Sequence, residues 1–407
     1  MPPYVCYDWR TTRIGAPVEF GLSVYNSLTK QIDRVDDDPV GVYVCGVTPY
    51  DTTHIGHAFT YVAFDALVRY LRFIGREVTY VRNVTDIDDD ILLRSASRGM
   101  NWKELGDTEF ALFQSDMAAL NNVPPEFEPR ATEHTPEMIA IIESLIERGC
   151  AYVSDGSVYF EVKKDGEFGR LCDVPYAAQL EIANERGNFP ADPRKRDPLD
   201  FVLWQAQKEG EPAWPSPWGD GRPGWHIECS AMSTKYLGET FAIHGGGEDL
   251  LFPHHDAEIA QSVNATGKPF VHYWMHTGMV YHGEKKMSKS LGNMVFARDL
   301  LEEHSVDAIR LSLLNHHFRD EWDFEEERLT AAYPLVHMLT ERLTGVGEAS
   351  EEEIERLGGP FLTAMSENLD TPRAIAELEQ LAQHGEVAAQ RTGRTLGSKV
   401  LGLTFAG

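Results

Sequence analysis

Four groups of residues in this 407-residue chain have types and spacings that could do chemistry. His54-Ile55-Gly56-His57 places two imidazoles three residues apart, after an apolar run and before a helical pattern. Imidazoles in such a turn can donate to phosphate oxygens, and Gly56 leaves room for a ligand to approach the backbone. Lys286-Met287-Ser288-Lys289-Ser290 is a basic, glycine-flanked loop. Its lysines could neutralise charge developing on a departing pyrophosphate. His244-Gly245-Gly246-Gly247-Glu248-Asp249 reads as a glycine turn closing a strand, open to a nucleotide, with Asp249 set to accept from ribose hydroxyls.

The fourth group is dispersed. Cys45 ends a strand and Cys229 follows Trp225-His226-Ile227-Glu228. His254 and Glu258 stand at i and i+4 on a helical segment, so they share a face. All four are metal-donor types. No C-x-x-C pair is present, and spacing alone favours the plainer reading of buried core cysteines beside a helix-face pair. Taken singly, the His54–His57 turn reads more readily as an ordinary turn and the lysine loop as any basic loop, but together, in this order and at this separation, they are hard to obtain by accident.

The elements around these groups suggest how they are held. Residues 40–49 form an apolar run ended by Pro49, a buried strand. Thr60–Phe73 has helical spacing, with Phe64, Leu67, Val68 and Leu71 on one face, and Glu77–Arg82 is the next strand. Strand, helix and strand in that order imply a parallel sheet. Residues 101–150 read as helical, and Ala151–Val162 as a hairpin around Asp155-Gly156. Polar residues 163–197 suggest an insertion between two halves of one sheet. Thr240–His244 is a short strand, His254–Thr266 a helix and Pro269–Val280 another strand. Beyond residue 297 the pattern is helical, with caps expected at Ser305 and Thr371-Pro372.

Longer stretches resemble the cysteinyl-tRNA synthetase family of class I aminoacyl-tRNA synthetases. They are Val42–Ala58, Val81–Ile91, Asp197–Trp204, Gly221–Ser233, Phe241–Ser262 and Glu284–Asn293. The likeness runs from about Leu22 to Arg319. It implies an α/β fold: a doubly wound parallel, Rossmann-like sheet with an inserted connective subdomain and a C-terminal helical bundle. The expected units are residues 1–120, the insertion 121–200, the second half 201–296 and the helical stem 297–407. It also implies that Cys45, Cys229, His254 and Glu258 hold one zinc ion that takes the thiolate of substrate cysteine. Trp225 and Thr85 would line the cysteine pocket, and Thr48, Gly56, Gly245, Gly246, Gly247 and Asp249 would serve substrate or nucleotide. His54, His57, Lys286 and Lys289 would stabilise charge as the cysteine carboxylate attacks the α-phosphate of ATP, which enters with magnesium.

Two acceptors for the activated cysteine fit the resemblance. One is the 3′ end of tRNA(Cys), favoured by the Leu22–Ile32 start, Asp200–Trp204, His244 and Glu258. The other is the amine of glucosaminyl-inositol, as in the mycothiol-pathway cysteine ligase, a relative of the family. Thr48-Pro49-Tyr50-Asp51 and Asn368–Pro372 lean that way. Asp90 stands where the synthetases usually carry lysine. The segment after Phe296 leaves little room for an anticodon-binding module, and holds 10 Lys+Arg against 21 Asp+Glu. The tRNA acceptor is the preferred expectation, with identification mostly through the acceptor end. A non-catalytic cysteine-sensing paralogue, or a methionine specificity, is disfavoured by the intact motifs and the four-donor set.

Composition sets the remaining bounds. The net charge of −27 gives no general electrostatic footprint for nucleic acid, though local basic patches remain open. No apolar run approaches membrane-spanning length, and the first residues lack the apolar core of a signal peptide. Five scattered cysteines suit free thiols or metal ligands in a reducing cytoplasm. A cytoplasmic monomer is expected, with residues 1–21 disordered.

Overall fold

The computed structural model describes residues 20–50, 53–287 and 292–406. Residues 1–19, where disorder was expected, and Lys289 lie outside the described residues.

A short antiparallel pair, β1 (Ser23–Asn26) and β2 (Gln31–Arg34), precedes β3 (Val40–Val47). Then α1 (Ile55–Phe73) and β4 (Val78–Val84) complete the expected strand–helix–strand unit, β4 lying parallel to β3. α1 starts earlier than its apolar periodicity suggests. His54 caps it, Nδ1 accepting from the backbone N–H groups of Gly56 and His57 at 3.2 and 3.4 Å.

Residues 101–150 are not one helical stretch. They hold α3 (Trp102–Ala119) and α4 (Thr135–Glu147), after α2 (Asp89–Arg98). Pro124 and Pro125 cannot continue a helix. The segment after them runs along β4, with Arg82 N–H donating to Phe127 O and Val84 N–H to Pro129 O.

The hairpin β5 (Ala151–Ser154) and β6 (Ser157–Phe160) turns at Asp155-Gly156, whose φ angles of 48° and 75° suit a two-residue type I′ turn. After α5 (Tyr176–Glu185), β7 (Phe201–Ala206) and β8 (Gly221–Pro223) join it in an antiparallel sheet of order β5-β6-β7-β8. Hydrogen bonding therefore carries this sheet to Pro223, rather than returning the chain to the parallel sheet at residue 201.

α6 (Trp225–Leu237), β9 (Phe241–Gly247), α7 (Asp256–Thr266) and β10 (Val271–Thr277) supply the second half of the parallel sheet. Its order is β10-β9-β3-β4. The glycines expected to form a turn instead continue β9, paired with Met275, His276 and Thr277. β11 (Val280–Tyr281) pairs with β12 (Trp322–Asp323). The helices that follow are α8 (Ala297–Glu303), α9 (Val306–Leu314), α10 (Glu326–Thr330), α11 (Tyr333–Leu343), α12 (Glu351–Leu357), α13 (Gly359–Ser366), α14 (Thr371–Gln383) and α15 (Val387–Lys399). Ser305 caps α9 as expected, whereas Asp370, not Thr371, caps α14. No described helix is long and apolar enough to cross a membrane.

Alternation along the strands sorts side chains between two cores. Val40, Val42 and Val44 face α1 and the C-terminal helices, while Tyr43 and Cys45 face the core containing residues of α4, α6 and α7. Gly245 lies on the α1 side, where a Cβ would sit 2.0 Å from the Phe64 ring. Gly245→Ala should therefore lose about 1–3 kcal/mol of stability through overpacking, readable by urea titration. A change within error would mean that Phe64 turns aside freely.

α9 ties the C-terminal residues to α1. Arg310 is fully buried and donates to Asp65 Oδ2 at 2.6 Å, Leu120 O at 2.8 Å, Asn122 Oδ1 at 2.8 Å and Leu401 O at 2.7 Å. Asp307 accepts from the backbone of Thr404 and Phe405, holding the last described residues against α9.

Candidate active site and metal centre

The parallel strand order changes direction between β3 and β9, the place where open α/β sheets bind ligands at the strands' carboxyl ends. Cys45 reaches this place from β3 and His244 from β9, on the same face. α6 brings Cys229 in its second turn. His254 comes from the turn before α7, and Glu258 from the first turns of α7 itself.

The dispersed donors converge. Cys45 Sγ lies 3.8 Å from Cys229 Sγ and 3.8 Å from Glu258 Oε1, and His254 Nε2 lies 3.1 Å from the same oxygen. All four are buried, and both cysteines are free thiols. His254 Nδ1 is 2.9 Å from His226 Nδ1, which leaves Nε2 facing the cluster. The Trp225 ring stacks on His254 at 4.1 Å. Burial pushes the Cys45 thiol and the Glu258 carboxyl well above their ordinary values, and the neighbouring Cys229 raises Cys45 further. A divalent cation among them would reverse that penalty, so the donor set fits a metal. A second set, Cys45, His244, His255 and Glu258, overlaps the first.

The His54–His57 turn sits where α1 begins. The two rings stack at 3.8 Å, and burial lowers His57 to about 4, so it is neutral near pH 7. His57 Nδ1 has no hydrogen-bond partner among the described residues. The turn is tied to the chain just beyond the lysine loop: Ile55 N–H donates to Val295 O, and Ala297 N–H to Thr53 O. A Cβ on Gly56 would lie 3.0 Å from the His54 ring, so the space expected for a ligand is taken by that imidazole.

Gly246 leaves room for Leu250 and His255, and Gly247 for the Asp249 carboxylate. Asp249 lies 3.4 Å from an Arg186 nitrogen and 3.6 Å from Lys286 Nζ. Thr85 is buried, its Oγ1 accepting from Asn83 Nδ2 at 3.3 Å. Thr48 and Trp225 line a cleft of about 1610 Å³ between α2 and the segment 183–211. Its lining mixes Arg186, Arg194, Lys195, Lys208 and Arg222 with acidic residues, among them Asp88, Asp89, Asp90 and Glu211, and Arg222 is paired with both Asp89 and Glu211.

Sequence reasoning missed His255 and His276. His255 Nε2 lies 3.3 Å from Cys45 Sγ, and His255 Nδ1 lies 2.7 Å from His276 Nε2. The signal was available in part. His244, Trp274 and His276 fall on one face once β9 and β10 are placed side by side, but that pairing is not legible locally.

Comparison with known proteins follows the same lines. Residues 31–334 match the family model for the class I (C) tRNA synthetase catalytic domain. The cysteine–tRNA ligase of Alkalilimnicola ehrlichii is 47% identical over 383 residues, covering 91% of this chain and 80% of that protein. This chain belongs to the class I cysteine–tRNA ligase family. The family member from Aliivibrio fischeri is 47% identical over 367 residues, covering 89% of this chain and 79% of its own. Among solved structures, Mycobacterium tuberculosis methionyl-tRNA synthetase in complex with methionyl-adenylate is similar to this cysteine–tRNA ligase family member with a TM-score of 0.62. It is 17% identical and covers 90% of this chain and 88% of that one. The agnB2 LeuRS of Agrobacterium radiobacter K84, in its ternary complex with tRNA and LeuAMS, also has a TM-score of 0.62, at 11% identity over 90% of this chain and 83% of its own. At those identities the likeness is one of fold, and it agrees with the doubly wound α/β sheet expected from the sequence.

Proposed function

We propose that this protein activates L-cysteine with ATP and magnesium, releasing pyrophosphate, and passes the cysteinyl group to the 3′ end of tRNA(Cys). The relatives support that reaction. The observation that carries the amino-acid choice is the convergence of Cys45, Cys229, His254 and Glu258 within 4.8 Å in a buried pocket beneath Trp225. Serine and cysteine differ by one atom, and a pocket's shape separates such isosteres poorly. Zinc held by these four residues would bind the substrate thiolate and supply the missing discrimination.

The chain's own residues do the rest. His226 holds His254 with Nε2 toward the cluster. Trp225 and Thr85 would enclose the amino-acid side chain, and Thr48 its entrance from the cleft. In the first step a carboxylate oxygen of cysteine bonds to the α-phosphorus while the bond to pyrophosphate breaks. His54 and His57 would donate to phosphate oxygens from the start of α1, where the helix dipole also favours negative charge. As a neutral ring His57 acts through its N–H group, not through charge. Lys286 and Lys289 would compensate the leaving pyrophosphate, and Gly245, Gly246, Gly247 and Asp249 would border the nucleotide. In the second step a ribose hydroxyl attacks the adenylate carbonyl and AMP departs.

The amino-sugar acceptor, which drew on Thr48–Asp51 and on the acidic C-terminal segment, finds no support in these relatives. The free thiols among the described residues suit a reducing cytoplasm, and a monomer is the expected state.

ATP–pyrophosphate exchange tests the reading. Cysteine should drive exchange, while serine and methionine should leave it at background. Equal exchange with serine would remove the thiolate as the selected group.

A further inference from the structure

The two donor sets share Cys45 and Glu258 and together hold six residues, more than the four donors zinc takes, so they cannot all be ligands of one ion. The hydrogen bonds around them separate the roles. Glu258 meets His254 Nε2 through Oε1 at 3.1 Å and His244 Nε2 through Oε2 at 3.0 Å. His244 thus grips the oxygen turned away from His254 and Cys45.

On the other side an unbroken chain leads away from Cys45. His255 Nε2 is 3.3 Å from Cys45 Sγ, His255 Nδ1 is 2.7 Å from His276 Nε2, and His276 Nδ1 is 2.8 Å from Ser27 Oγ. All four residues are buried. Ser27 belongs to the N-terminal stretch that sequence reasoning noted but gave no task. It is fixed from the backbone: Ser27 N–H donates to Trp274 O at 2.9 Å, and Asn26 bonds both Trp274 N–H and His272 O.

A neutral imidazole carries one N–H, so the chain can point only one of two ways. A metal-bound Cys45 is a thiolate, which accepts and does not donate. That admits a single arrangement: Ser27 O–H donates to His276 Nδ1, His276 Nε2–H to His255 Nδ1, and His255 Nε2–H to the Cys45 sulfur.

We propose that Ser27 is a positioning residue of the metal centre, acting through His276 and His255 on the Cys45 thiolate, and that His255 and His244 hydrogen-bond to ligands rather than serving as ligands. The inference rests on the assignment of Cys45, Cys229, His254 and Glu258 given above. Partners of this kind set ligand orientation and basicity, and their loss typically costs about 10–100-fold in metal affinity.

The test uses the full chain, stripped of metal and titrated with zinc against a chromophoric chelator. A parallel titration with Co²⁺ follows the thiolate-to-metal absorption band. Ser27→Ala, two hydrogen bonds further from the ligand than His255, should weaken zinc about threefold to 10-fold, at or below the low end of the loss for a group bonded directly to a ligand, while the metal-free variant melts with the metal-free parent. Ser27→Thr, which keeps the hydroxyl, should recover most of the affinity. His255→Ala should weaken zinc yet leave the ligand-field bands of the Co²⁺ form in place, whereas His254→Ala should shift them. Zinc affinity of Ser27→Ala within twofold of the parent would overturn the proposal. So would Co²⁺ bands that change with His255→Ala and not with His254→Ala. If the parent chain itself binds no zinc, the metal-centre assignment falls and this inference falls with it, a result distinct from an indifferent Ser27 beside an intact site.

Discussion

Cys229→Ser is expected to strip the chain of its metal and abolish cysteine-dependent pyrophosphate exchange. Cys229 is buried in the second turn of α6, with its sulfur 3.8 Å from that of Cys45. A serine hydroxyl would fit the space but is a poor zinc donor, because zinc favours sulfur and imidazole and a hydroxyl does not ionise readily. Removing an outer hydrogen-bonding partner already costs about 10–100-fold in metal affinity, so removing a ligand should cost more than about 100-fold. Metal content by mass spectrometry and exchange activity should fall together. Full metal content in the variant would take Cys229 out of the ligand set. Full metal content with lost activity would give the thiol a different task.

Arg310→Met should produce the largest loss of stability, about 3–5 kcal/mol, because several buried acceptors are left unpaired at about 1–3 kcal/mol each. The methionine fills much of the volume but satisfies none of the acceptors. Asp65 would keep Arg69, bonded at 2.8 Å, and the Val123 N–H at 2.7 Å, so the carboxylate is not stranded. Leu401 O and Leu120 O would lose the guanidinium donors they share, and burying such acceptors unpaired is costly. The loss should appear in urea titration as early melting of the C-terminal helices from the parallel sheet. A loss under about 1 kcal/mol would show that water takes the place of the guanidinium.

The His54–His57 turn and the lysine loop were legible from residue order because they are short and contiguous, whereas Cys45, Cys229, His254 and Glu258 were legible as a set only through the family resemblance. The His54–His57 turn follows a strand and opens a helix, as the apolar run ending at Pro49 and the periodicity after it imply. The i, i+4 relation of His254 and Glu258 held in space at 3.1 Å even though His254 lies in the turn before α7 rather than within it. The glycines were legible as necessary but not for the right reason. A run of three reads as a turn, yet Gly245 is small because Phe64 of α1 lies against it, a contact between residues far apart in the chain. Gly56 is likewise filled from within, by the ring of His54. The histidines around the metal donors were hidden more deeply. His276 gains meaning only from the parallel register that sets it opposite Gly246, and Ser27 only from the docking of β1 on β10. Long-range pairing leaves no local trace in composition or spacing, and these residues depend on it.

The central claim is that cysteine activated here goes to tRNA. Enzyme-bound cysteinyl-adenylate, formed first and then mixed with tRNA(Cys) or with glucosaminyl-inositol in separate single-turnover reactions, tests it most directly. Fast discharge onto tRNA, with the adenylate surviving in the presence of the amino sugar, is the expected result. Discharge onto the amino sugar alone would contradict it.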